Sequence, residues 1–458
     1  RAPAPQGRNW GCRKHGCWRV VIFTAASQMQ ALRYATSASA GALRAAALRP
    51  VARAYSAGAG SLHKAQLGNG VTIISDDASS SPVATISVVV KAGSAYETHE
   101  THGAAHFAKL LALKSNQSLS ALRVTRLIEN HSASFEVKHS REAITYTVKS
   151  LQEDVGPICE VLAAMMRPRA QEYELRDLRE LVDGECAANA SNSESRMADL
   201  VHSSVFRGQG LGRSVVCPSY NRAMSSELMG EYVESSFVGD RITVVGLGVD
   251  QARFTEGAQA FAVLPRSGVA ASIPQETAFG QEVLESAGCG TRAVLAFAMG
   301  KTAAPEAYTT LTLLGGHLRA NRTKPGAGVT SRLYQNVLAK NPAVQSASAV
   351  YHNNAVQPLV GVTGFAPGAG KAAELVSALN AEVKGLSNVT DEEIKRATAA
   401  CSMKVHTWGE DSASYAKFLG MRGLQCTPAE LAANVAAVQP AGVRAAIKEM
   451  FAAKPTLV

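Results

Sequence analysis

Two neighbouring segments decide the fold class of this chain: VATISVVVK at residues 83–91 and GAAHFAKL at residues 103–110. In the first, Thr85 and Ser87 alternate with apolar, mostly β-branched residues, which predicts a strand that ends at the Gly93 turn. In the second, the spacing of the apolar residues predicts a helix over residues 103–114. A strand followed by a helix of this kind predicts a sheet with helices packed against it.

The same order of elements occurs twice along the chain. In the first half, further strands are predicted at residues 71–74, 134–137, 144–148 and 241–246, and helices after Ser120, at 153–166 and at 171–190. In the second half, strands are predicted at residues 293–299, 346–351 and 359–363, and helices at 305–314, 371–386, 391–406, 413–422, 429–435 and 443–452. The sequence therefore predicts an α+β fold with two homologous domains, each a mostly antiparallel sheet with helices on one face.

These patterns give the expected limits of the domains. The first domain is predicted at residues 62–250 and the second at residues 277–458. The linker at 251–276 contains Pro265 and Pro274, which interrupt regular structure. Residues 454–458 resemble the closing strand of the first half but stop earlier, so we expect the last strand to be truncated in this sequence.

Positive charge is concentrated at the start of the chain. The sequence has 46 Lys and Arg against 37 Asp and Glu, a formal net charge of +9. Residues 1–55 carry nine of the basic residues, and no acidic residue precedes Asp76. The remainder of the chain therefore has equal numbers of basic and acidic residues, which argues against a nucleic-acid-binding function.

The leader, residues 1–55, contains a predicted mitochondrial transit peptide at residues 29–55, because this segment is rich in Ala, Ser, Leu and Arg and free of acids. Arg53 lies two residues before Tyr55, which predicts cleavage between Tyr55 and Ser56. A disordered Ala-rich tail is the alternative interpretation. Residues 1–28 fit no import pattern, and we expect them to be translated upstream sequence before a true start at Met29.

The cysteine spacing, the hydropathy and the glycine pattern argue against disulfides, a membrane span and a dinucleotide-binding site. The eight cysteines form no Cys-x-x-Cys pair, which favours reduced thiols rather than a disulfide framework. No apolar run approaches the roughly 18 residues of a membrane span, so any membrane association is expected to come through partners. The sequence Gly246-Leu247-Gly248 lacks the third glycine of a dinucleotide fingerprint, and no cofactor is predicted.

Residues 106–110, His-Phe-Ala-Lys-Leu, occupy the frame of an inverted zinc-peptidase motif, His-x-x-Glu-His. That motif needs two imidazoles four residues apart and a carboxylate that deprotonates metal-bound water. Only His106 remains. Lys109 supplies an ammonium that repels a divalent cation, and Leu110 cannot ligate. We therefore predict no catalytic residue and no metal site, and His106 alone is also explained as a polar residue of an amphipathic helix.

The doubled halves, the leader and residues 103–107 together resemble the mitochondrial processing peptidase family of inverted-motif zinc peptidases. Supporting segments are VKAGSAYE at 90–97, CPSY at 217–220, SSEL at 225–228, VGLGV at 245–249, TSRLYQNV at 330–337 and GLSN at 385–388. The resemblance covers residues 62–458. It is strongest to the core-protein branch of the family, which belongs to ubiquinol-cytochrome c reductase, mitochondrial respiratory complex III.

The resemblance implies that a Glu on a later helix corresponds to the third metal ligand of the active relatives. Glu180 is the first choice for that position and Glu185 the second, and either is also explained as a solvated helical carboxylate. His99 and His102 lie upstream of His106 but off its i, i+4 spacing, so they are not expected to replace the missing ligand.

The resemblance further implies a structural and assembly role on the matrix side of the mitochondrial inner membrane, with core protein 1 and other complex III subunits as partners. Two alternatives stay open. The first is the alpha, substrate-binding subunit of the processing peptidase, although residues 324–328 (KPGAG) make a stiffer and shorter loop than its glycine-rich one. The second is an active peptidase that uses displaced ligands.

Overall fold

The computed structural model of this protein describes residues 62–77, 82–267, 272–273, 290–300, 304–315, 320–321, 328–354, 356–368, 370–423 and 427–458. The predicted leader and its cleavage site at Tyr55 and Ser56 lie outside the described residues. So do residues 324–327 of the loop that distinguishes the alternatives.

The first half forms a six-stranded sheet. Its strands are β1 (Leu62–Gln66), β2 (Thr72–Asp76), β3 (Val83–Val90), β4 (Ser134–His139), β5 (Ile144–Leu151) and β6 (Ile242–Leu247). They lie in the order β1-β2-β6-β3-β5-β4. All neighbours are antiparallel except β2 and β6, which are parallel.

The second half forms a five-stranded antiparallel sheet from β7 (Gly290–Ala298), β8 (Ala320–Asn321), β9 (Ser346–His352), β10 (Leu359–Pro367) and β11 (Pro455–Leu457). Its order is β11-β7-β10-β9-β8. The run β6-β3-β5-β4 of the first sheet thus has the same topology as β11-β7-β10-β9 of the second. The predicted α+β class and the internal repeat of mostly antiparallel sheets are confirmed.

Thirteen α-helices in the described part of the chain accompany the sheets. In the first half they are α1 (Ala104–Leu110), α2 (Ala121–Asn130), α3 (Val155–Met165), α4 (Glu172–Ser191), α5 (Ser193–Val205), α6 (Ser226–Ser236) and α7 (Gln251–Ala258). In the second half they are α8 (Ala304–Leu314), α9 (Ala372–Gly385), α10 (Asp391–Glu410), α11 (Ser412–Arg422), α12 (Pro428–Ala436) and α13 (Pro440–Ala452). No helix in this described part is both long and apolar enough to cross a membrane.

Strand β3 is buried along almost its whole length, as its nearly continuous apolar sequence requires. Ile86 and Val88 point into the main core of the first half. Val89 points to the opposite face, where it lies against Gly420 of α11 from the second half. Both faces of the strand are therefore covered, one of them by the other half of the chain.

The two halves exchange one helix each. Helix α5 of the first half packs Val201 and Val205 against Val294 of the second sheet. In return, α11 of the second half packs Tyr415 and Leu419 against the first sheet. The sequence predicts α11 but not α5 or the later helix α6. Each half thus has a main core of its own, and two smaller apolar clusters are shared between the halves.

The first part of the predicted linker at 251–276 is helical and belongs to the core of the first half. Phe254 and Ala258 on α7 are fully buried there, as is Phe261 in the following turn. The Asn69 side chain donates hydrogen bonds to the carbonyl oxygens of Phe261 and Leu264, at 2.9 and 3.1 Å. The i, i+4, i+7 spacing of these apolar residues is helical. Pro265 and Pro274, on which the linker prediction rests, follow this helical stretch.

Candidate site around His106

Gly103 immediately precedes helix α1, and its backbone has a φ of 99°. This conformation favours glycine, and a Cβ atom added there would lie 2.6 Å from Cys217 Sγ. The Glu97 carboxylate accepts hydrogen bonds from the amides of Gly103 and Ala105, at 3.0 and 2.7 Å. Burial raises the pKa of Glu97 to about 7, against the opposing effect of these two bonds. Glu97 thus satisfies backbone donors at the start of the helix that carries His106.

The His106 side chain is fully buried, and both of its ring nitrogens have partners. Nδ1 accepts the Cys217 amide proton at 3.3 Å, so Nε2 carries the proton and donates to Glu185 Oε2 at 2.7 Å. The ring of His139 stacks on His106, with centroids 5.1 Å apart and planes inclined by 5°. Burial lowers the pKa of His106, and Lys109 lowers it further, against the opposing effect of Glu185. The imidazole is therefore held as a neutral hydrogen-bond donor to a carboxylate.

Lys109 occupies both carboxylate oxygens of Glu185. Its ammonium donates to both oxygens of Glu185, at 2.8 and 2.7 Å. Partial burial raises the pKa of Glu185, but the hydrogen bonds from Lys109 and His106 outweigh it and hold that pKa below its ordinary value. Glu185 is therefore ionised and shared between an ammonium and an imidazole.

These residues do not fit a divalent metal ion. Leu110, at the place of the second imidazole, packs against the apolar core. The imidazole and the carboxylate that converge bond each other, and the Lys109 ammonium lies within 2.8 Å of both carboxylate oxygens. A cation bound there would have to displace an existing charge pair. Within the described ranges, no group of three or more His, Cys, Asp or Glu side chains could hold a metal.

The structure places Glu185, and not Glu180, at the motif. Helix α4 buries Leu178 and Val182, and Glu180 lies roughly 200° around the helix from Leu178 at about 100° per residue. Its side chain is exposed to solvent. Glu185 follows Val182 by three residues and so lies on the face that meets α1. Of the two glutamates named from the sequence, Glu185 is therefore the one that contacts His106, and the correspondence of either to the third ligand of the active relatives stays a prediction.

His99 and His102 make contacts away from His106. His102 Nδ1 lies 2.8 Å from the Tyr220 hydroxyl, and the His99 ring stacks on the Tyr220 ring at 5.3 Å. Sequence reasoning missed His139 and Cys217, which do contact His106. Neither lies at a ligand-like spacing from it, and pairing of β4 with β5 is what brings His139 into place.

Four cysteines in the described residues, Cys159, Cys186, Cys217 and Cys401, are buried and free. Burial raises the pKa of both the Cys159 and Cys217 thiols to about 12. They are therefore protonated at neutral pH and unreactive.

Comparison with protein families gives two adjoining matches. Residues 72–219 match the Insulinase (Peptidase family M16) domain, and residues 223–401 match the Peptidase M16 inactive domain. The first match contains the His106 site. The second contains α8, α9 and most of α10.

Similar proteins carry two kinds of name. The chain is 28% identical over 403 residues to mitochondrial-processing peptidase subunit alpha-2 of Dictyostelium discoideum, covering 86% of this chain and 90% of that protein. It is 27% identical over 390 residues to cytochrome b-c1 complex subunit 2, mitochondrial, of Cryptococcus neoformans, covering 82% and 87%. It is 25% identical over 405 residues to the mouse protein of that name, covering 86% and 88%. The chain belongs to peptidase family M16.

Proposed function

We propose that this chain is a non-catalytic core subunit of mitochondrial respiratory complex III, with the role of core protein 2. The observation that carries the proposal is the closed cluster of His106, Lys109 and Glu185. Hydrolysis by an M16 site requires a carboxylate base and ligands left free for a cation. In this chain the position of the base holds an ammonium, and the remaining ligands bond that ammonium or each other.

The cluster has a structural use instead. It ties α1 to α4 through charge-assisted hydrogen bonds, and the stacked ring of His139 adds strand β4 to the same contact. A peptidase scaffold with its site closed in this way can serve assembly. Its partners would be core protein 1 and the other complex III subunits, on the matrix side of the inner membrane. Membrane association would come only through these partners.

Two further observations support this assignment. Relatives named cytochrome b-c1 complex subunit 2 match most of the chain in a fungus and in the mouse. The composition of residues 29–55 supports mitochondrial import, with the mature protein beginning at Ser56.

The second candidate is the alpha subunit of the mitochondrial processing peptidase. It is favoured by matches of similar identity to the alpha subunits of Dictyostelium discoideum and Solanum tuberosum. The proline in residues 324–328 (KPGAG) argues against it, because that subunit uses a flexible glycine-rich loop to guide presequences.

Gentle solubilisation of mitochondrial membranes separates the two candidates. We expect the chain to migrate on a native gel with the haem-containing ubiquinol-cytochrome c reductase activity and to begin at Ser56 by N-terminal sequencing. A chain that instead remains with the soluble matrix fraction and crosslinks to a presequence peptide would establish the second candidate.

A further inference from the structure

A large cavity lies where the second half meets the first sheet. Its volume is about 1050 Å³. The first half contributes residues from β1, β2, β6 and the end of β3, and the second half contributes residues from α10, α11 and the segment between β9 and β10. It lies apart from His106, and none of the residues around that histidine line it.

Four cations line this cavity: Lys64, Lys91, Lys417 and Arg422. None of them forms an ion pair with another described residue. Two carboxylates also line the cavity. Asp240 pairs with Arg266 at 3.6 Å, and Glu142 is buried and has interactions of its own. The lining therefore carries an excess of positive charge.

Lys417 is the most unusual of these cations. It is half-buried on α11, and burial lowers the pKa of its ammonium, with Lys138 lowering it further. No described carboxylate compensates for this desolvation. Removing an ammonium even partly from water without an opposing charge has a free-energy cost. An anion in the cavity would remove that cost.

Aromatic side chains form another part of the wall. Tyr351, Trp408 and Phe418 line the cavity together with the four cations. The Arg422 guanidinium lies over the Phe418 ring, 5.5 Å from its centroid. Aromatic faces and a stacked guanidinium are surfaces on which a planar ring binds, whereas lysine ammoniums bind phosphate.

We propose that the cavity binds an organic anion of the nucleotide class, which combines a planar ring with phosphate groups. The phosphates would lie near Lys417 and the other cations, and the ring would stack on the aromatic wall. A volume of about 1050 Å³ is sufficient, because ligand pockets commonly measure about 300–1,000 Å³. The site draws on both halves of the chain, so occupancy would also hold α11 on the first sheet.

Calorimetric titration of the full chain with ADP, adenosine and pyrophosphate tests the proposal. We expect ADP to bind at least about tenfold more tightly than either adenosine or pyrophosphate, because only ADP uses both surfaces. The variant Lys417→Met should weaken ADP by about tenfold or more while changing adenosine binding little. Its thermal unfolding temperature should not fall, since the substitution removes a half-buried charge without a partner.

Lys448→Met is the matched control, because Lys448 is an exposed lysine on α13 outside the cavity. It should bind ADP as the unaltered chain does. ADP binding that is no tighter than that of pyrophosphate would overturn the proposal. So would ADP binding that responds equally to the Lys417 and Lys448 variants, or no ADP binding at all.

Discussion

Helix α4 of the first half and helix α10 of the second half bury side chains at equivalent positions, but the residues beside those positions differ in charge. Helix α4 buries Leu175, Leu178, Val182 and Cys186, and α10 buries Ile394, Ala397, Cys401 and Val405. Leu175 and Ile394 lie 219 positions apart, and so does each following pair. The positions that face the interior are thus repeated, although their side chains differ.

The position beside these buried residues shows the difference. In the first half it holds Glu185, bonded to Lys109 and His106. In the second half, again 219 positions later, it holds Lys404, and burial lowers the pKa of that ammonium. Lys404 lines a cavity of about 460 Å³ with Thr312 and Met403, and no histidine lines it. The buried residues therefore set the scaffold, and single residues next to them set the chemistry.

The largest effect on stability is expected at the ion pairs around Glu393, a position equivalent to Glu174 in the first half. Arg332 donates to Glu393 at 3.0 Å and to Glu382 at 2.7 Å, and the Glu382 side chain is only 4% exposed. Arg332→Met would leave Glu382 buried without its cation. We expect the free energy of unfolding in urea to fall by about 3–5 kcal/mol.

Two controls sharpen this test. Glu174 is held by hydrogen bonds from the Ser115 amide and hydroxyl, at 3.0 and 2.7 Å, so Ser115→Ala should cost only about 1 kcal/mol. Arg444→Met breaks an exposed pair with Asp391 and should cost less than about 1 kcal/mol. Equal losses of unfolding free energy in all three variants would show that the ion pairs of Arg332 stabilise the chain no more than an exposed ion pair does.

A smaller effect is expected where the exchanged helices cross the sheets. Gly420 on α11 is equivalent to the buried Val201 on α5, but a Cβ atom at Gly420 would lie 2.5 Å from Val89 Cγ2. Gly420→Ala should therefore destabilise the chain by about 1–3 kcal/mol through overpacking. Differential scanning calorimetry should show the loss as one shifted transition, because both halves share this contact.

Gly184→Ala provides the opposite control. Gly184 lies on the exposed face of α4, with no atom within 4 Å of an added Cβ. Alanine is the better helix former, so this variant should gain about 0.5–1 kcal/mol. If Gly420→Ala were as stable as Gly184→Ala, α11 would not pack on β3 as closely as the structure shows.

The smallest effect concerns pH. Strands β4 and β9 end at His139 and His352, and burial lowers the pKa of each to about 4. His139 also faces His106 and Lys109, and His352 faces Arg141. The ordinary value near 6.5 applies in the unfolded chain, so unfolding takes up protons between about pH 6.5 and 4.

The contribution of these two histidines to stability should therefore be constant above about pH 6.5 and fall as the pH drops towards 4, whereas Glu97, whose pKa is raised to about 7, contributes with the opposite sign. His139→Gln and His352→Gln should each make this fall shallower, because each variant takes up as much as about one proton fewer on unfolding. Urea denaturation at a series of pH values measures it. An unchanged slope in both variants would mean that these imidazoles remain hydrated in the folded protein.

The repeated order of strands and helices could be predicted from the sequence because apolar spacing reports burial directly. The deficit at Lys109 and Leu110 could also be predicted, since it depends on residue type alone. Which of Glu180 and Glu185 contacts His106 could not be predicted from sequence distance, because the face of α4 on which each residue lies decides it.

Other features could not be predicted from the sequence because they depend on contacts between segments that are far apart in the chain. Helix α5 packs on the second sheet, and its Val201 and Val205 cover that sheet rather than the sheet of its own half. Gly420 is small because Val89, far away in the chain, leaves no room for a Cβ atom. The stacking of His139 on His106 likewise follows from strand pairing.

The most direct test of the account is the zinc content and peptidase activity of the purified, unaltered chain, measured beside the double variant Lys109→Glu, Leu110→His. We predict no stoichiometric zinc and no cleavage of a presequence peptide by the unaltered chain. The double variant should acquire zinc, because His106 and Glu185 already converge. Stoichiometric zinc with chelator-sensitive cleavage in the unaltered chain would contradict the account.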